Sequence, residues 1–234
     1  MACASGTSSD KVLKLFILGR RAPGRTRAAA HAHLRDGHGR MVVLPPADCG
    51  PMPSDYVQNH VVDGAYAAHG PHAVERDLLT ELWFDDIAHM QASTATRYYR
   101  EHLRPDEPRF VDDAGVARML CDARVVHDGA HGGARGRFKL VRLMTLTPGA
   151  VLDEAAVVAQ MVAAGFTRIV VNGVRPGPTG AKFVDVMVEA WTDTLETART
   201  AADEIALPDG ADPAASLTLV TEEYPRARLI ALLT

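Results

Sequence analysis

The chain has 234 residues, 47% hydrophobic and 23% charged, with 25 basic against 29 acidic side chains and a formal net charge of −4. This composition excludes a disordered, collagenous or fibrous protein, and it offers no basic field to attract phosphate backbones or anionic lipid. Neither nucleic acid nor a membrane is expected as a partner. Three scattered cysteines, Cys3, Cys49 and Cys121, are too few for a disulfide framework and fit a reducing cytoplasm. Residues 1–10 (MACASGTSSD) lack a charged start and an apolar core, and no stretch approaches the ~20 apolar residues that span a bilayer, so a flexible N-terminus on a cytoplasmic protein is expected.

The first predicted element is a strand over 12–18 (VLKLFIL), followed by an Ala-rich helix over 26–36 with Thr26 as its N-cap. Strands over 55–63 (DYVQNHVVD) and 78–84 come next, then a helix that starts on Asp85 and runs to about 103, then a weaker strand near 124–126. The Gly-rich stretch 127–136 (HDGAHGGARG) reads as a joint. Beyond it the order repeats: a strand over 138–146, a helix over 153–164 capped by Asp153 and stopped by Gly165, strands over 167–174 and near 184–191, a helix from Asp193 to about 205, and a strand near 217–221.

The two copies share an E-x-W-x-D pattern, Glu81-Leu82-Trp83-Phe84-Asp85 against Glu189-Ala190-Trp191-Thr192-Asp193, which holds both tryptophans of the chain. Strand, helix, strand, strand, helix, strand, read twice, predicts an α+β protein of two ferredoxin-like β-α-β-β-α-β units, 11–126 and 137–234. Each unit leaves one sheet face bare, and packing bare face to bare face predicts a fused barrel within one chain. A monomer with an internal pseudo-dimer is then feasible, and a homodimer of such barrels remains open.

Strand alternation sorts the side chains. Leu78, Thr80, Leu82 and Phe84 suit helix packing, whereas the faces carrying Glu81 with Trp83 and Glu189 with Trp191 should look between the sheets. The polar face Tyr56, Gln58 and His60 is expected to line that same space, making a polar, aromatic-lined cavity the ligand site. All ten histidines lie at or before position 131, so the first unit alone carries side chains suited to proton chemistry near neutral pH. His69, His72, His127 and His131, in Gly-rich loops, are expected in solvent.

The first unit resembles the EthD family of dimeric α+β barrel proteins. The resemblance rests on His38 in GHGRMVVLP, on Tyr56, Asn59 and His60, on Glu81, Trp83 and Asp85, and on Asp106-Glu107-Pro108-Arg109-Phe110, and it covers about residues 12–126. The second unit looks like a degenerate copy without counterparts of His38, Tyr56 or His60. The resemblance implies two ferredoxin-like units around a shared barrel. Barrels of this type host cofactor-free cyclases, decarboxylases, dehydratases and quinone-forming monooxygenases, several acting on aromatic polyketides, as well as haem enzymes. Function must therefore be argued from the site.

His60 and Tyr56 are the leading pair: an imidazole to move a proton at carbon or from a phenol, and a hydroxyl to donate to the developing oxyanion. They sit about 13 Å apart along the strand at ~3.3 Å per residue, and so would flank a substrate. His38 is a second candidate acid or base or a group that binds a substrate carbonyl or carboxylate, with a helix C-terminal histidine favoured by the dipole as the structural alternative. Glu81, Trp83, Gln58, Asn59, Trp191 and Phe110 are the expected substrate-binding set. Glu81 has a structural alternative, a bond across the seam between the units, because Glu189 repeats it where there are no histidines. No H-E-x-x-H, C-x-x-C, G-x-G-x-x-G, P-loop or G-x-S-x-G pattern occurs, so neither a metal nor another cofactor is expected. The expected function is a cofactor-independent cyclase, dehydratase or decarboxylase acting on a hydrophobic carbonyl or phenolic, polyketide-like molecule. The alternatives are a cofactor-free monooxygenase of an electron-rich phenol and a non-catalytic binding protein accessory to an oxygenase.

Overall fold

A computed structural model describes residues 13–129 and 136–234. The N-terminal ten residues and most of the expected joint lie outside the described residues. Strands β1 (Leu13–Gly19), β2 (Asp55–Ala65), β3 (Leu78–Phe84) and β4 (Ala117–Asp128) belong to the first half, and β5 (Phe138–Met144), β6 (Arg168–Val174), β7 (Val186–Thr192) and β8 (Leu217–Pro225) to the second. They close one antiparallel barrel in the order β1-β3-β2-β8-β5-β7-β6-β4. Each half thus contributes the same order, and the halves are stitched by β2 to β8 and by β4 to β6. His127 and Asp128, expected in the joint, are the last residues of β4.

The helices are α1 (Arg27–Ala32), α2 (Gly39–Val43), α3 (Ile87–Ala95), α4 (Arg104–Asp106), α5 (Glu154–Ala163), α6 (Leu195–Glu204) and α7 (Arg226–Leu233). Thr26 caps α1 and Asp153 caps α5 by accepting from Ala29 and Ala156 amides, as their sequence positions indicate. The other two caps fall one residue later than expected. Asp86, not Asp85, caps α3, and Thr194, not Asp193, caps α6, because these are the residues whose extended backbone lets the side chain reach the third amide onward. The first helix does not stop at 36: a π-helical turn, His33–His38, carries it into α2. Helix α7 was not anticipated; its Leu229 packs with Val42, Val43 and Tyr224. Among the described residues no helix is long and apolar enough to cross a membrane.

Among the described residues, side chains fill the barrel interior in place of the expected cavity between the sheets. Phe16, Leu18, Leu79, Met119, Val141, Leu143 and Leu219 pack one part of it. The rest is a closed ring of buried charge. Lys14 bonds Glu81 at 2.8 Å and also Glu189, while Lys139 bonds Glu81 at 2.5 Å and Glu189 at 2.8 Å. Asn59 donates to Glu81 at 2.7 Å, Asn172 to Glu189 at 3.0 Å, and Trp191 Nε1 to Glu223 at 2.6 Å. The ammonium groups lie over the rings of Trp83 and Trp191, 4.8 Å and 4.4 Å from their centroids. Burial opposes charge on Lys139 and Glu81, but the carboxylates hold Lys139 protonated, and the lysines hold Glu81 ionised, far below the ordinary carboxylate range. Glu81, Asn59, Trp83 and Trp191 are therefore part of the barrel's frame and not of a substrate surface.

Outside the barrel the halves differ. In the second, α5 and α6 close directly on the sheet through Val157, Met161, Phe166, Ala198 and Ala201. In the first, the helices stand off the sheet and leave a cavity of about 420 Å³. Replacing Lys139 by Met removes the cation from three buried carboxylates and should cost about 3–5 kcal/mol in urea unfolding. Breaking the exposed Arg97–Glu101 pair should leave the urea midpoint where it was.

Candidate active site

The cavity lies between the outer face of β1, β3 and β4 and the helical segments of the first half, with walls made by Leu15, Ile17, Leu82, Phe84, Leu103 and Phe110 among others. The segment following β6, from Arg175 to Phe183, reaches over from the second half and completes its lining. His72, expected in solvent, is buried; its Nε2 meets the Phe183 carbonyl at 2.8 Å and ties this strap to the first half. The space is of a size suited to a small organic molecule.

His38 forms part of the wall, and its Nδ1 lies 3.2 Å from Asp106 Oδ2. His33 Nε2 meets the same carboxylate at 3.0 Å and 3.1 Å. In a regular helix at ~100° per residue, positions five apart diverge by ~140°; the wider π-helical turn spanning His33–His38 brings both rings round to one acceptor. Hydrogen bonds from His38 first, and from His33, outweigh burial and hold the Asp106 carboxyl below the ordinary range, so it is an anion at neutral pH. With Nδ1–H donated to that anion, the His38 Nε2 lone pair is the free one, and it has no partner among the described residues. Phe110 packs on both imidazoles, with centroids 4.9 Å from His38 and 5.6 Å from His33.

Tyr56 also lines the cavity. Gln58 Nε2 donates to Tyr56 Oη at 3.1 Å and to the Leu34 carbonyl at 2.7 Å, while its Oε1 accepts from His60 Nε2 at 3.0 Å. The oxygen of Tyr56 is thus an acceptor within the protein, and its proton remains available to a ligand. Burial, reinforced by the negative charge of Glu107, raises its pKa and keeps that proton in place. Glu107 is itself on the wall and accepts from Tyr99 Oη at 3.1 Å and from Arg104 at 2.9 Å. Burial first, then Glu107, pushes Tyr99 up to about 12.

The structure therefore divides the residues singled out in the sequence. Tyr56, His38 and Phe110 meet at one cavity. His60 and Gln58 share the outer face of β2 with Tyr56, which is the helix side and not the barrel interior. His60 is 3% exposed, 4.5 Å from both the His31 and Tyr224 rings, and is not on the cavity wall. It holds Gln58, and through it Tyr56, in place. Asp106, Glu107 and Tyr99 were missed as acid–base groups. The first two stood inside the DEPRF segment, but only Phe110 was read as functional. Among the described residues no group of three or more His, Cys, Asp or Glu has metal-ligand geometry.

Burial, together with His31, Arg35 and Arg228, lowers the pKa of His60 to about 2, against about 6.5 in an unfolded chain. Below pH ~6.5 the unfolded chain binds a proton that the folded state refuses. Stability is therefore complete above that pH and falls by about 1.4 kcal/mol per unit on acidification toward pH 4. Urea unfolding at pH 7.5, 6 and 4.5 should show this slope, and His60→Asn should remove one proton's worth of it.

Residues 22–114 match the family model of the EthD domain. No curated protein matches the chain in sequence. Among solved structures, an anthrone oxidase-like protein is similar with a TM-score of 0.57 at 12% identity, covering 93% of this chain and 94% of that one. A candidate monooxygenase from Fusobacterium nucleatum subsp. nucleatum ATCC 25586 gives 0.52 at 6% identity, covering 91% of each. At such identities the likeness is one of fold. The stretch matched by the EthD domain model, residues 22–114, is the one that supplies β2, β3 and the helical wall with His38, Asp106 and Phe110.

Proposed function

We propose that the cavity is the active site of an enzyme that moves a proton at carbon in a hydrophobic carbonyl or phenolic molecule, using its own side chains. The observation that carries this reading is the His38–Asp106 pair on an apolar wall that also presents the Tyr56 hydroxyl. His38 Nε2 takes the proton from a carbon activated by a carbonyl, and Asp106 stabilises the imidazolium that forms. Tyr56 donates a hydrogen bond to the enolate oxygen, in surroundings dry enough to strengthen that bond. The enolate then eliminates or condenses, as in a dehydratase or cyclase; in a decarboxylase the loss of carbon dioxide itself leaves the enolate, and the His38 imidazolium returns a proton to carbon. A second reading keeps the first step and lets the electron-rich anion reduce dioxygen; the names of the two structural neighbours favour it.

The same reading takes the chain as two ferredoxin-like units, 11–126 and 137–234, joined through 127–136, with a monomer sufficient to close the barrel. The repeated strand order and the matched Lys14 and Lys139, Glu81 and Glu189, Asn59 and Asn172 support it.

Anthrone, a carbon acid with a phenolic tautomer, is a suitable probe. In deuterium oxide without air, the protein should speed deuterium entry at the methylene carbon, followed by NMR. His38→Ala and Asp106→Asn should each cut that rate by about 10²-fold or more, and Tyr56→Phe by about 10²-fold. In air, one dioxygen consumed per anthrone, giving anthraquinone and water, selects the oxygenase; exchange without oxygen uptake selects the lyase or cyclase. Binding of anthrone with exchange no faster than buffer would leave a non-catalytic binder.

A further inference from the structure

The cavity lining carries three cationic side chains, Arg118, Arg175 and Lys182, against one carboxylate, Glu107. Most of these charges are matched by neighbours. Arg175 is held by Asp122 at 3.0 Å, Lys182 by Asp185 at 3.5 Å, and Glu107 by Arg104 at 2.9 Å. Arg118 differs: it stands on β4 opposite Ile17, and it makes no ion pair or hydrogen bond with any described residue. Its charge is felt by Asp113 and by Tyr99, but the Asp113 carboxylate is already bonded by Arg104. One guanidinium without a charged partner among the described residues thus faces the same space as His38 and Tyr56.

An exposed arginine is ordinarily matched by water alone. Here the position adds to that. Alternation puts Arg118 on the outer face of β4, and the strap that follows β6 brings two further cations to the same lining. A positive field in a cleft with low-dielectric walls favours an anion over its neutral isostere. A planar guanidinium with all its donors unused fits a carboxylate through two parallel bonds. Phosphate would ask for a cradle of backbone amides or a helix start, and Arg118 lies within a strand.

We infer that the ligand of this cavity is a hydrophobic carboxylic acid, its carboxylate held by Arg118 and its hydrocarbon body laid along the wall toward His38 and Tyr56. This rests on the cavity being a substrate site and adds a charge requirement to it. Arg118 is a specificity determinant and takes no part in the proton transfer. The second half of the chain contributes too, since the strap from Arg175 to Phe183 completes the lining of the cavity that Arg118 faces.

Isothermal titration of the whole protein with 2-naphthoate and with 2-naphthamide, which match in size and differ in charge, tests the inference. The naphthoate should bind about tenfold more tightly at low salt. Arg118→Gln should erase that preference by weakening naphthoate while leaving naphthamide within about twofold, Arg118→Lys should restore part of it, and 0.5 M sodium chloride should shrink it in the wild type. Equal binding of the two probes, no binding of naphthoate, or a preference that survives Arg118→Gln would overturn it. The two readings fail separately: Arg118-dependent naphthoate binding in a protein that never accelerates carbon deuteration refutes the catalytic reading alone. Deuteration that depends on His38, in a protein blind to probe charge, refutes the charge selection alone.

Discussion

The rest of the structure depends on the ring of alternating charge inside the barrel. Each lysine bonds the glutamate of its own half and that of the other, so Lys14–Glu189 and Lys139–Glu81 are cross-links between the two halves. Such groups pay heavily in lost hydration, and their mutual attraction offsets that only when the geometry is right. The ring therefore adds specificity more than net stability. A slip of one residue in any of β1, β3, β5 or β7 would turn a charged side chain out toward the helices and leave its partners buried alone. Asn59 and Asn172 complete the arrangement from β2 and β6 in matched positions, whereas Glu223, beside Lys139 and Trp191, has Ala123 as its counterpart in the first half.

With side chains filling the interior, the cavity lies outside the barrel. The two sheet faces under the helices differ. In the second half, small and aliphatic residues on α5 and α6 let the helices close on the sheet, as in an ordinary core. In the first half, the path from α1 to α2 passes so close to β2 that a Cβ on Gly39 would meet the Gln58 amide and the Leu34 carbonyl. The hydrogen-bond chain from His60 through Gln58 to Tyr56 needs that closeness. Farther along, where β1 and β3 offer Leu15, Ile17 and Leu82, the helices stand off and the cavity opens. One half is thus packed tightly enough to let the other keep a hollow with polar groups on its wall.

The strand order and the sorting of Glu81 and Glu189 toward the interior were legible because they follow from alternation and from spacing, which are local, whereas β4, expected near 124–126, spans Ala117–Asp128. The face of Tyr56, Gln58 and His60 was not. Polarity was used to send it to the interior, yet polarity is satisfied on either side: by ions there, and by the Leu34 carbonyl and the Tyr224 ring here. The parity of pairing across β2 and β3 decides it, since Asn59, one position out of phase with that face, reaches Glu81. The lysines completing the ring also left a trace, a Lys-Leu pair near the start of the first strand of each half, Lys14-Leu15 and Lys139-Leu140. A lysine inside a strand of aliphatic residues reads as an edge or surface position unless its carboxylate partners are known.

The His38–Asp106 pair escaped for another reason. Nothing in a helical periodicity places residues 33 and 38 on one face, and only the widened turn does so. Such a turn lowers backbone regularity, and it persists here because one carboxylate accepts from both imidazoles while Phe110 packs on both rings. The same contacts that orient His38 toward the cavity are thus those that hold the turn open. A site built this way is coupled to its own backbone: removing the carboxylate would cost the histidine its orientation as well as its counter-charge, whereas the barrel beneath, secured by its ring of lysines and glutamates, would stand unchanged.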